Sequence, residues 1–544
     1  MPSSASSMIE VSTPSSPGRS DPPARLYNAG AVGKIRQLTG IAALCMAMLL
    51  TQSALGQSVL PLTYIASTFN VLDSPDASGQ QSWFAASFSL TVGTFVLPAG
   101  RIGDIVGHKT IILIGYGFLS IWSMVAGLSH YTGSYVFFDI CRAMQGVGCA
   151  VLLPNSLAIL GRLFAPGTYV KHLAFSFYAA TAPNGFVFGA LFSTLMARNP
   201  DVGWWWDWYV MSITCALLAV LCVWALPSEN EMKAVTASWN LDSKQQDAEP
   251  VIDADAASFM NSNDPLWKRL DLFGTVTGVT GLVLFNFVFN QALVVGWSTV
   301  YIYVLLIVSV FFLAVFIWSE GKALYPLLPT SVFHLQSALI LLSLGCGWAA
   351  FGVWAFYTSL FNQHIRHYSP ILAVVTFVPA GAAGIVAAFS SAKIMGKTSP
   401  PFVMLLSLLA FLIGSCLAGN SPVRVESLPY IASCIMPFGM DMSFPAASII
   451  LSDFLPAHQQ GAASSIVNTV VNYSVALGLG FAGVVESHVN DGGRNILKGY
   501  RGAYYMGMGF AGLGVATALL NWGVQIRNSN KSGKGEKAKQ EEGV

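Results

Sequence analysis

The sequence contains few charged side chains for its length. Its 27 basic and 26 acidic residues make up 10% of 544 positions, whereas charged residues make up about a quarter of a soluble domain. Hydrophobic residues account for 54%, so a water-soluble core of this size would lack a charged surface to cover it. The net charge of +1 and the pI near 7.6 also exclude a strongly basic surface for nucleic acid.

Paired cysteine motifs are missing too. The eight cysteines fall inside apolar stretches and lack the spacing of a zinc site or a disulfide framework. We therefore expect cysteines that serve packing, no metal site and no cofactor. Residues 1–36 contain no apolar run, so we expect no cleavable signal peptide, and the first span acts as its own insertion signal.

Long apolar runs recur along the rest of the chain. A helix needs about 20 residues to cross a hydrocarbon layer of about 30 Å, and on this basis the sequence predicts fourteen spans in an all-α integral membrane protein. The fifth and thirteenth are interrupted by glycine and polar residues. The spans begin near residues 39, 82, 110, 134, 172, 205, 271, 299, 337, 370, 401, 428, 460 and 502.

Lys and Arg alternate with these spans. If the amino terminus is cytoplasmic, the inner segments carry about three times as many as the outer loops. An even number of spans then places both termini in the cytoplasm. The predicted divisions are a disordered tail (1–37), a six-helix bundle (38–227), a cytoplasmic linker (228–270), an inserted helix pair (271–320), a second six-helix bundle (321–526) and a disordered tail (527–544).

A short polar turn joins the second predicted span to the third. It contains Gly100, Asp104, Gly107 and Lys109, and glycine permits the sharp bend that a turn at the membrane surface needs. The spacing G-x-x-x-D-x-x-G-x-K resembles the signature loop of the major facilitator superfamily. We interpret these four residues as a cytoplasmic gate, in which Asp104 and Lys109 pair.

The fourth predicted span contains Arg142, Gln145 and Gly146. An arginine inside a span costs about 2.5–3.5 kcal/mol on insertion scales, which favours a cavity-facing base involved in proton coupling. The alternative is that Arg142 reaches the membrane surface or pairs with Asp139. The spacing R-x-x-Q-G resembles the fourth-span motif of the same superfamily.

The fifth predicted span carries Pro183, Gly185 and Gly189. Proline bends a helix, and glycines four residues apart let a second helix approach. The pattern resembles a motif of exporters in the superfamily, although Ala182 stands where the usual glycine precedes the proline. A packing kink without a gating role is the alternative.

Two acidic residues are candidates for proton coupling. Asp441 lies well inside the twelfth predicted span, where a carboxyl group can exchange a proton near neutral pH. It can alternatively cap the backbone that Pro437 or Pro445 leaves free. Glu486 lies at the outer end of the thirteenth span and is either a second coupling group or an interfacial carboxylate.

Other polar and aromatic side chains inside the spans are candidates for a substrate path. Amides can alternatively hold helices together, and aromatic side chains can face lipid. These candidates are Gln52, Gln57, Asn290, Gln291, Trp354, Tyr357, Asn468 and Asn472.

Together the motifs resemble the fourteen-span drug:proton antiporter family. The segments around Asn290, Gly439–Pro445 and Tyr500–Tyr505 are similar to its fungal branch, which includes aminotriazole-resistance, boron-efflux and low-affinity ammonium transporters. This resemblance implies two pseudo-symmetric bundles of six spans each, with an inserted pair of spans between them in the chain. It also implies proton-coupled efflux of small toxic compounds, drugs or a fungal secondary metabolite by alternating access. Ammonium or boron transport is the alternative, and a transporter-like sensor is a remote one.

The expected partners are a small-molecule substrate, protons and the lipid bilayer. We expect a monomer in the plasma membrane rather than the vacuolar membrane. The chain departs from the family where Gln52 replaces a first-span aspartate, and where Ile105 and His108 replace bases of the signature loop. An ATP-driven pump is not expected, since Ser391 stands where a phosphate-binding loop ending at Gly396-Lys397-Thr398 needs glycine. An enzyme is not expected either, because it would need clustered catalytic side chains within the spans, whereas His364 and His367 share one outer loop.

Overall fold

The computed structural model describes residues 31–72, 77–164, 169–232, 235, 264–328, 334–395, 398–424, 427–453 and 460–542. Within these ranges all regular secondary structure is helical. The first bundle contains α1 (Ala31–Val59), α2 (Leu62–Thr68), α3 (Ala77–Val106), α4 (His108–Leu128), α5 (Tyr135–Leu163), α6 (Tyr169–Arg198) and α7 (Trp205–Ala225).

The remaining helices follow the linker. They are α8 (Leu266–Arg269), α9 (Leu272–Val295), α10 (Val300–Glu320), α11 (Leu335–Leu360), α12 (Pro370–Val375), α13 (Val378–Met395), α14 (Pro400–Gly419), α15 (Ser427–Asp453), α16 (Gln460–Val489) and α17 (Ile496–Glu542). A π-helical turn, Phe361–Ile365, continues α11. A π-turn of this kind often marks a functional position.

Thirteen helical segments of the described chain are long and apolar enough to cross a membrane. The all-α membrane fold predicted from the sequence is therefore confirmed. The other long helix, α6, has 30 residues and contains Pro183, and it is one of the two spans predicted to be interrupted by polar residues. It packs along α1 inside the first bundle. Because α6 is not among the thirteen apolar segments, the count of fourteen spans stays a prediction.

The helices form two bundles. In the first, α1 packs against α6, while α5 packs against both α3 and α4. In the second, α11 packs against α16 and α17, and α15 packs against α13 and α14. The bundles meet where α3 crosses α16 and where α6 crosses α13. The inserted pair lies beside the first crossing, because α9 contacts both α3 and α16.

Two helix ends differ from the predicted boundaries. The first helix begins at Ala31 rather than 38, and its Arg36 is held by hydrogen bonds to the end of α7. The last helix continues to Glu542, beyond the predicted boundary at 526. The structure thus places helix where a disordered tail was predicted, in a proline-free stretch with four Lys and three Glu residues. Residues 1–30 and 236–263, predicted to be disordered tail and linker, lie outside the described residues.

Candidate functional site

The signature loop is a tight turn between α3 and α4. Gly107 has a φ of 106°, a conformation that favours glycine. A Cβ atom at Gly103 would overlap the Asn155 side chain. This close approach lets Asn155 Oδ1 lie 2.7 Å from His108 Nδ1. His108, which departs from the family pattern, is buried and joins the loop to α5.

Asp104 and Lys109 of this loop have separate partners. Asp104 Oδ1 lies 3.4 Å from His108 Nε2 and 3.8 Å from Arg162 of α5. Lys109 Nζ instead donates to the carbonyl oxygens of Val223 (2.8 Å) and Leu226 (2.7 Å). The prediction that Asp104 and Lys109 pair is therefore wrong. The last turn of α7 leaves carbonyl oxygens without intrahelical partners, and the negative end of the helix favours a cation there.

A second cation, Arg36, contacts the same end of α7. It donates to the Trp224 oxygen at 2.9 Å and forms a double hydrogen bond with Glu231 at 2.9 and 3.0 Å. The hydrogen bond from Arg36 lowers the pKa of Glu231 to about 2. The carboxylate therefore stays ionised at any physiological pH, and α1, α4 and α7 are held together near the signature loop.

Arg142 is completely buried between three helices. Its guanidinium group donates to the Phe84 oxygen of α3 (3.1 Å), the Ala54 oxygen (2.5 Å) and Ser58 Oγ (3.0 Å) of α1, and Gln145 Oε1 (2.7 Å). It also lies 4.7 Å from the centre of the Phe88 ring. This complete burial excludes the alternative that Arg142 reaches the membrane surface. No described carboxylate, Asp139 included, lies within ion-pair distance of the guanidinium group.

Gly146, the third residue of the fourth-span motif, lets α5 lie against α3. A Cβ atom there would overlap Thr91 and the Phe88 oxygen. The Thr91 hydroxyl donates to the Ala143 oxygen at 2.6 Å. The close contact places Arg142 within reach of the α3 backbone, so the three motif residues act as one packing unit.

The glycines of the fifth-span motif lie directly on α1. Cβ atoms at Gly185 and Gly189 would overlap the oxygens of Leu49 and Ser53, and one at Gly56 would overlap the Phe186 oxygen. Ser53 Oγ also donates to the Gly185 oxygen at 2.9 Å. We call Gly56, Gly185 and Gly189 the glycine seam. Small residues at a helix interface let two backbones approach this closely.

Pro183 lies on the other side of α6, facing the second bundle. A Cβ atom at Gly384 of α13 would overlap the Pro183 ring and lie 3.2 Å from Oδ2 of Asp441. Asp441 is 5% exposed, and this oxygen has no hydrogen-bond partner among the described residues. The Asp441 carboxyl group therefore lies where α6, α13 and α15 meet, at the junction between the bundles.

Glu486 is buried rather than interfacial. It is 5% exposed, and the Tyr357 hydroxyl donates to its Oε2 at 2.9 Å. Tyr357 in turn lies against Tyr500, with ring centres 5.8 Å apart. These groups belong to α11, α16 and α17 of the second bundle, so Glu486 and Asp441 occupy separate polar sites.

The remaining predicted path residues do not form one cluster. Asn290 donates to the Ala476 oxygen of α16 at 3.3 Å, which joins the inserted pair to the second bundle. Gln291 donates to Tyr301 of α10 at 3.3 Å, a contact within the inserted pair. Asn472 donates to the Asn468 oxygen within α16 at 3.0 Å. Trp354 is buried against Phe377, and Gln52 is buried in α1.

One buried acid was missed in the sequence. Asp207 stands in the first turn of α7 and is 2% exposed. Its Oδ2 has no hydrogen-bond partner among the described residues. Gln57 of α1, a predicted path residue, accepts at its backbone oxygen from the Ser193 hydroxyl of α6 at 3.4 Å. Three tryptophans directly precede Asp207 in the sequence. The available signal was an acidic residue at the start of an otherwise uncharged span.

At the end of the bundles away from the signature loop, the two halves are in direct contact. Thr63 Oγ1 donates to Gln363 Oε1 at 2.7 Å, and Gln363 Nε2 donates to the Leu60 oxygen at 3.1 Å. We call this contact the Thr63–Gln363 latch. Residues 50–62 of the first bundle and 346–363 of the second are all buried, so the path between the bundles is closed at this end.

Two helical bundles, closed at one end and carrying buried polar groups at their junction, define a polytopic membrane transporter. The sequence profile of the Major Facilitator Superfamily matches residues 42–479, and the chain belongs to this family. The family assignment predicted from the motifs is thereby confirmed.

Comparisons with individual proteins agree with this assignment. The chain is 44% identical over 495 residues to a low affinity ammonium transporter of Saccharomyces cerevisiae, covering 90% of each chain. It is 39% identical to the efflux pump terJ of Aspergillus terreus, covering 89% of this chain and 88% of that protein. The solved structure of the proton:xylose symporter XylE matches with a TM-score of 0.57 at 14% identity, covering 89% of this chain and 96% of XylE, and supports the fold alone.

Proposed function

We propose that this protein is a proton-coupled exporter of small toxic compounds that works by alternating access. The observation that carries the proposal is the Asp441 carboxyl group at the junction of the bundles. Its Oδ2 has no hydrogen-bond partner in the described part of the chain, and it lies beside Gly384 and Pro183. An ionised carboxylate is costly at such a place, so binding a proton stabilises close contact between the bundles.

The proposed cycle uses the contacts between helices. Protonation of Asp441 lets α6 and α13 close together, while its deprotonation favours their separation. The glycine seam lets α6 move along α1, and the contacts around Asp104 and Lys109 hold the signature loop as the bundles rock. The relative terJ, an efflux pump by name, supports export, and the closed Thr63–Gln363 latch supports a second conformation that opens at that end.

We further propose fourteen spans, both termini in the cytoplasm, a monomer and a plasma-membrane location. The bias in Lys and Arg supports this orientation. Counting α6 together with the thirteen apolar segments gives fourteen spans. An even number of spans places both termini on the same side of the membrane.

Replacement of Asp441 tests the proposal. In yeast stripped of related transporters, Asp441→Asn should abolish uphill export while the protein still reaches the membrane. The exposed carboxylate of Asp491, which contacts only Lys498 in the described structure, provides the matched control Asp491→Asn. Robust gradient-driven export by Asp441→Asn would eliminate this residue as the proton carrier.

A second candidate function is low-affinity ammonium transport, favoured by the 44% identity to the yeast protein of that name. Accumulation of labelled methylammonium, borate, aminotriazole and a lipophilic toxin, with and without a protonophore, separates the two. Lower accumulation that reverts when the proton gradient collapses establishes export. Raised methylammonium uptake establishes the alternative.

A further inference from the structure

Two acids lie where the inserted pair begins and ends. Asp271 is the N-cap of α9, and its Oδ1 accepts from the Gly274 nitrogen at 3.2 Å. Glu320 is the last residue of α10 and is 2% exposed, and its Oε2 accepts from the Leu328 nitrogen at 2.9 Å. Each carboxyl group therefore uses one oxygen to bind a backbone nitrogen.

The other oxygens of the two acids lie beside each other. A Cβ atom at Gly274 would overlap Asp271 Oδ2 and lie 2.9 Å from Glu320 Oε1, so both oxygens flank one point on α9. Both are buried, and neither has a hydrogen-bond partner among the described residues. Two ionised carboxylates in this position repel each other, and a buried acceptor without a donor destabilises a fold. The arrangement therefore favours a ligand that binds both oxygens.

No basic group in the described part of the chain forms an ion pair with either acid. Arg101 of α3 donates instead to the backbone oxygens of Arg269 (3.2 Å) and Tyr325 (3.4 Å). Lys322 Nζ lies 4.1 Å from the centre of the Trp318 ring. The remaining charged groups on the elements around the pair are Asp104 of α3, Asp264 before α8, Lys268 within α8, and Glu486 at the far end of α16.

A single proton satisfies both oxygens. With a proton between them, one carboxyl group donates a hydrogen bond to the other, and the pair carries one negative charge instead of two. Arg101, which binds the backbone of both segments that carry the acids, supplies a positive charge to offset it. A metal ion would need several more oxygen ligands, and the described residues contain no group of three or more metal-binding side chains.

We propose that Asp271 and Glu320 share one proton, and that this proton fastens the inserted pair to residues 325–328, the segment that precedes α11. When the proton leaves to water, two carboxylates remain and repel each other, so Glu320 withdraws from the Leu328 nitrogen; no other bond forms or breaks. Arg101 binds the same segment at the Tyr325 oxygen. The site therefore joins the inserted pair, the end of α3 and the chain that enters the second bundle.

Infrared difference spectroscopy of the purified full-length protein tests for the shared proton. The probe is the proton itself, applied as a pH titration, and the signal is the carbonyl stretch of a protonated carboxyl group. Glu320→Gln and Asp271→Asn should each remove the same component, because one proton belongs to both acids. The exposed Asp201 provides the control Asp201→Asn, which should retain it. Persistence of the component in either Glu320→Gln or Asp271→Asn would overturn the sharing.

The same preparation separates a proton from a metal ion. The wild-type melting temperature should fall as the pH rises through the titration, because the folded pair binds its proton more tightly than the unfolded chain does. Glu320→Gln should lose this pH dependence. Added Mg²⁺ or Na⁺ should leave both proteins unchanged. A melting temperature that rises with either cation in the wild type but not in Glu320→Gln would overturn the proposal in favour of a cation site.

Hydrogen exchange tests the fastening of residues 325–328. After correction for the intrinsic pH dependence of exchange, the wild-type Leu328 amide should lose protection as the infrared component disappears. Glu320→Gln should keep this protection at every pH, because its amide oxygen accepts from Leu328 while its amide nitrogen donates to Asp271. A wild-type amide that stays equally protected would overturn the fastening. None of these measurements involves a substrate, so their failure leaves the proposed export by way of Asp441 unaffected.

Discussion

At the scale of single residues, Arg142 illustrates how a membrane protein retains a buried charge. Its guanidinium group binds acceptors on α1, α3 and α5 at once. A guanidinium group presents five donors in a planar fork, whereas an ammonium group is a compact charge with three. Position 142 therefore requires the shape of arginine as well as its charge.

We predict that Arg142→Lys retains the charge but loses transport by at least about tenfold, because lysine cannot bind Phe84, Ala54 and Gln145 together. Surface abundance and the melting temperature in detergent should be measured beside transport. Arg162→Lys is the matched control, since Arg162 is part-exposed and lies 3.8 Å from Asp104. Full transport by Arg142→Lys would show that charge alone is needed.

The Arg36–Glu231 pair predicts a pH dependence of stability. The pair lowers the pKa of Glu231 from 4.5 to about 2, so its contribution is fully present above the ordinary pKa and is lost as the pH falls towards 2. Because both groups are partly exposed, the contribution is about 1 kcal/mol at most. Glu231→Gln should lower the melting temperature slightly at pH 7. Its difference from the wild type should shrink between about pH 4.5 and 2; a difference that stays constant would contradict the assignment.

At the scale of helices, the glycine seam makes a sterically specific contact. Gly189 has the Ser53 oxygen where a Cβ atom would be placed, whereas Gly117 on α4 has nothing within 4 Å of that position. Alanine is a better helix former than glycine by about 1 kcal/mol. The same substitution therefore has opposite consequences at the two positions.

We expect Gly189→Ala to lower both the melting temperature and the transport rate, because α6 must move away from α1. Gly117→Ala should keep the rate and keep or raise the melting temperature. Thermal unfolding and initial rates of transport in proteoliposomes measure both. Equal behaviour of the two variants would mean that α1 and α6 are less closely packed than described.

At the scale of the whole molecule, the two bundles contact each other in places besides the Asp441 junction. The Thr63–Gln363 latch closes one end, and α3 crosses α16 where a Cβ atom at Gly93 would lie 2.6 Å from the Tyr473 backbone nitrogen. Alternating access requires the contacts at one end to break while those at the other end form.

The latch should therefore open once in every transport cycle. A short thiol-specific cross-linker applied to a Thr63→Cys/Gln363→Cys double variant should stop transport, and cleavage of the cross-linker should restore it. The two single-cysteine variants, treated in the same way, control for the native cysteines. Undiminished transport by a fully cross-linked protein would exclude opening at this end.

Much of the architecture followed from local properties of the sequence. Runs of apolar residues predicted the long helices, and the motifs around Asp104, Arg142 and Pro183 led to the correct family. The partner that a polar side chain binds was less predictable. Lys109 binds the end of α7 instead of Asp104, because α4 and α7 pack against each other.

The sequence by itself determined where the long apolar helices lie, that they belong in a membrane and which transporter family they form. These properties arise from hydrophobicity and short-range spacing, which act within one helix or one turn. Only the tertiary structure decided that Asp441 lies at the junction of the bundles, that Glu486 is buried beside Tyr357, and that Arg142 binds the backbones of α1 and α3. Such polar contacts join residues far apart in the chain, and their geometry depends on how the helices pack.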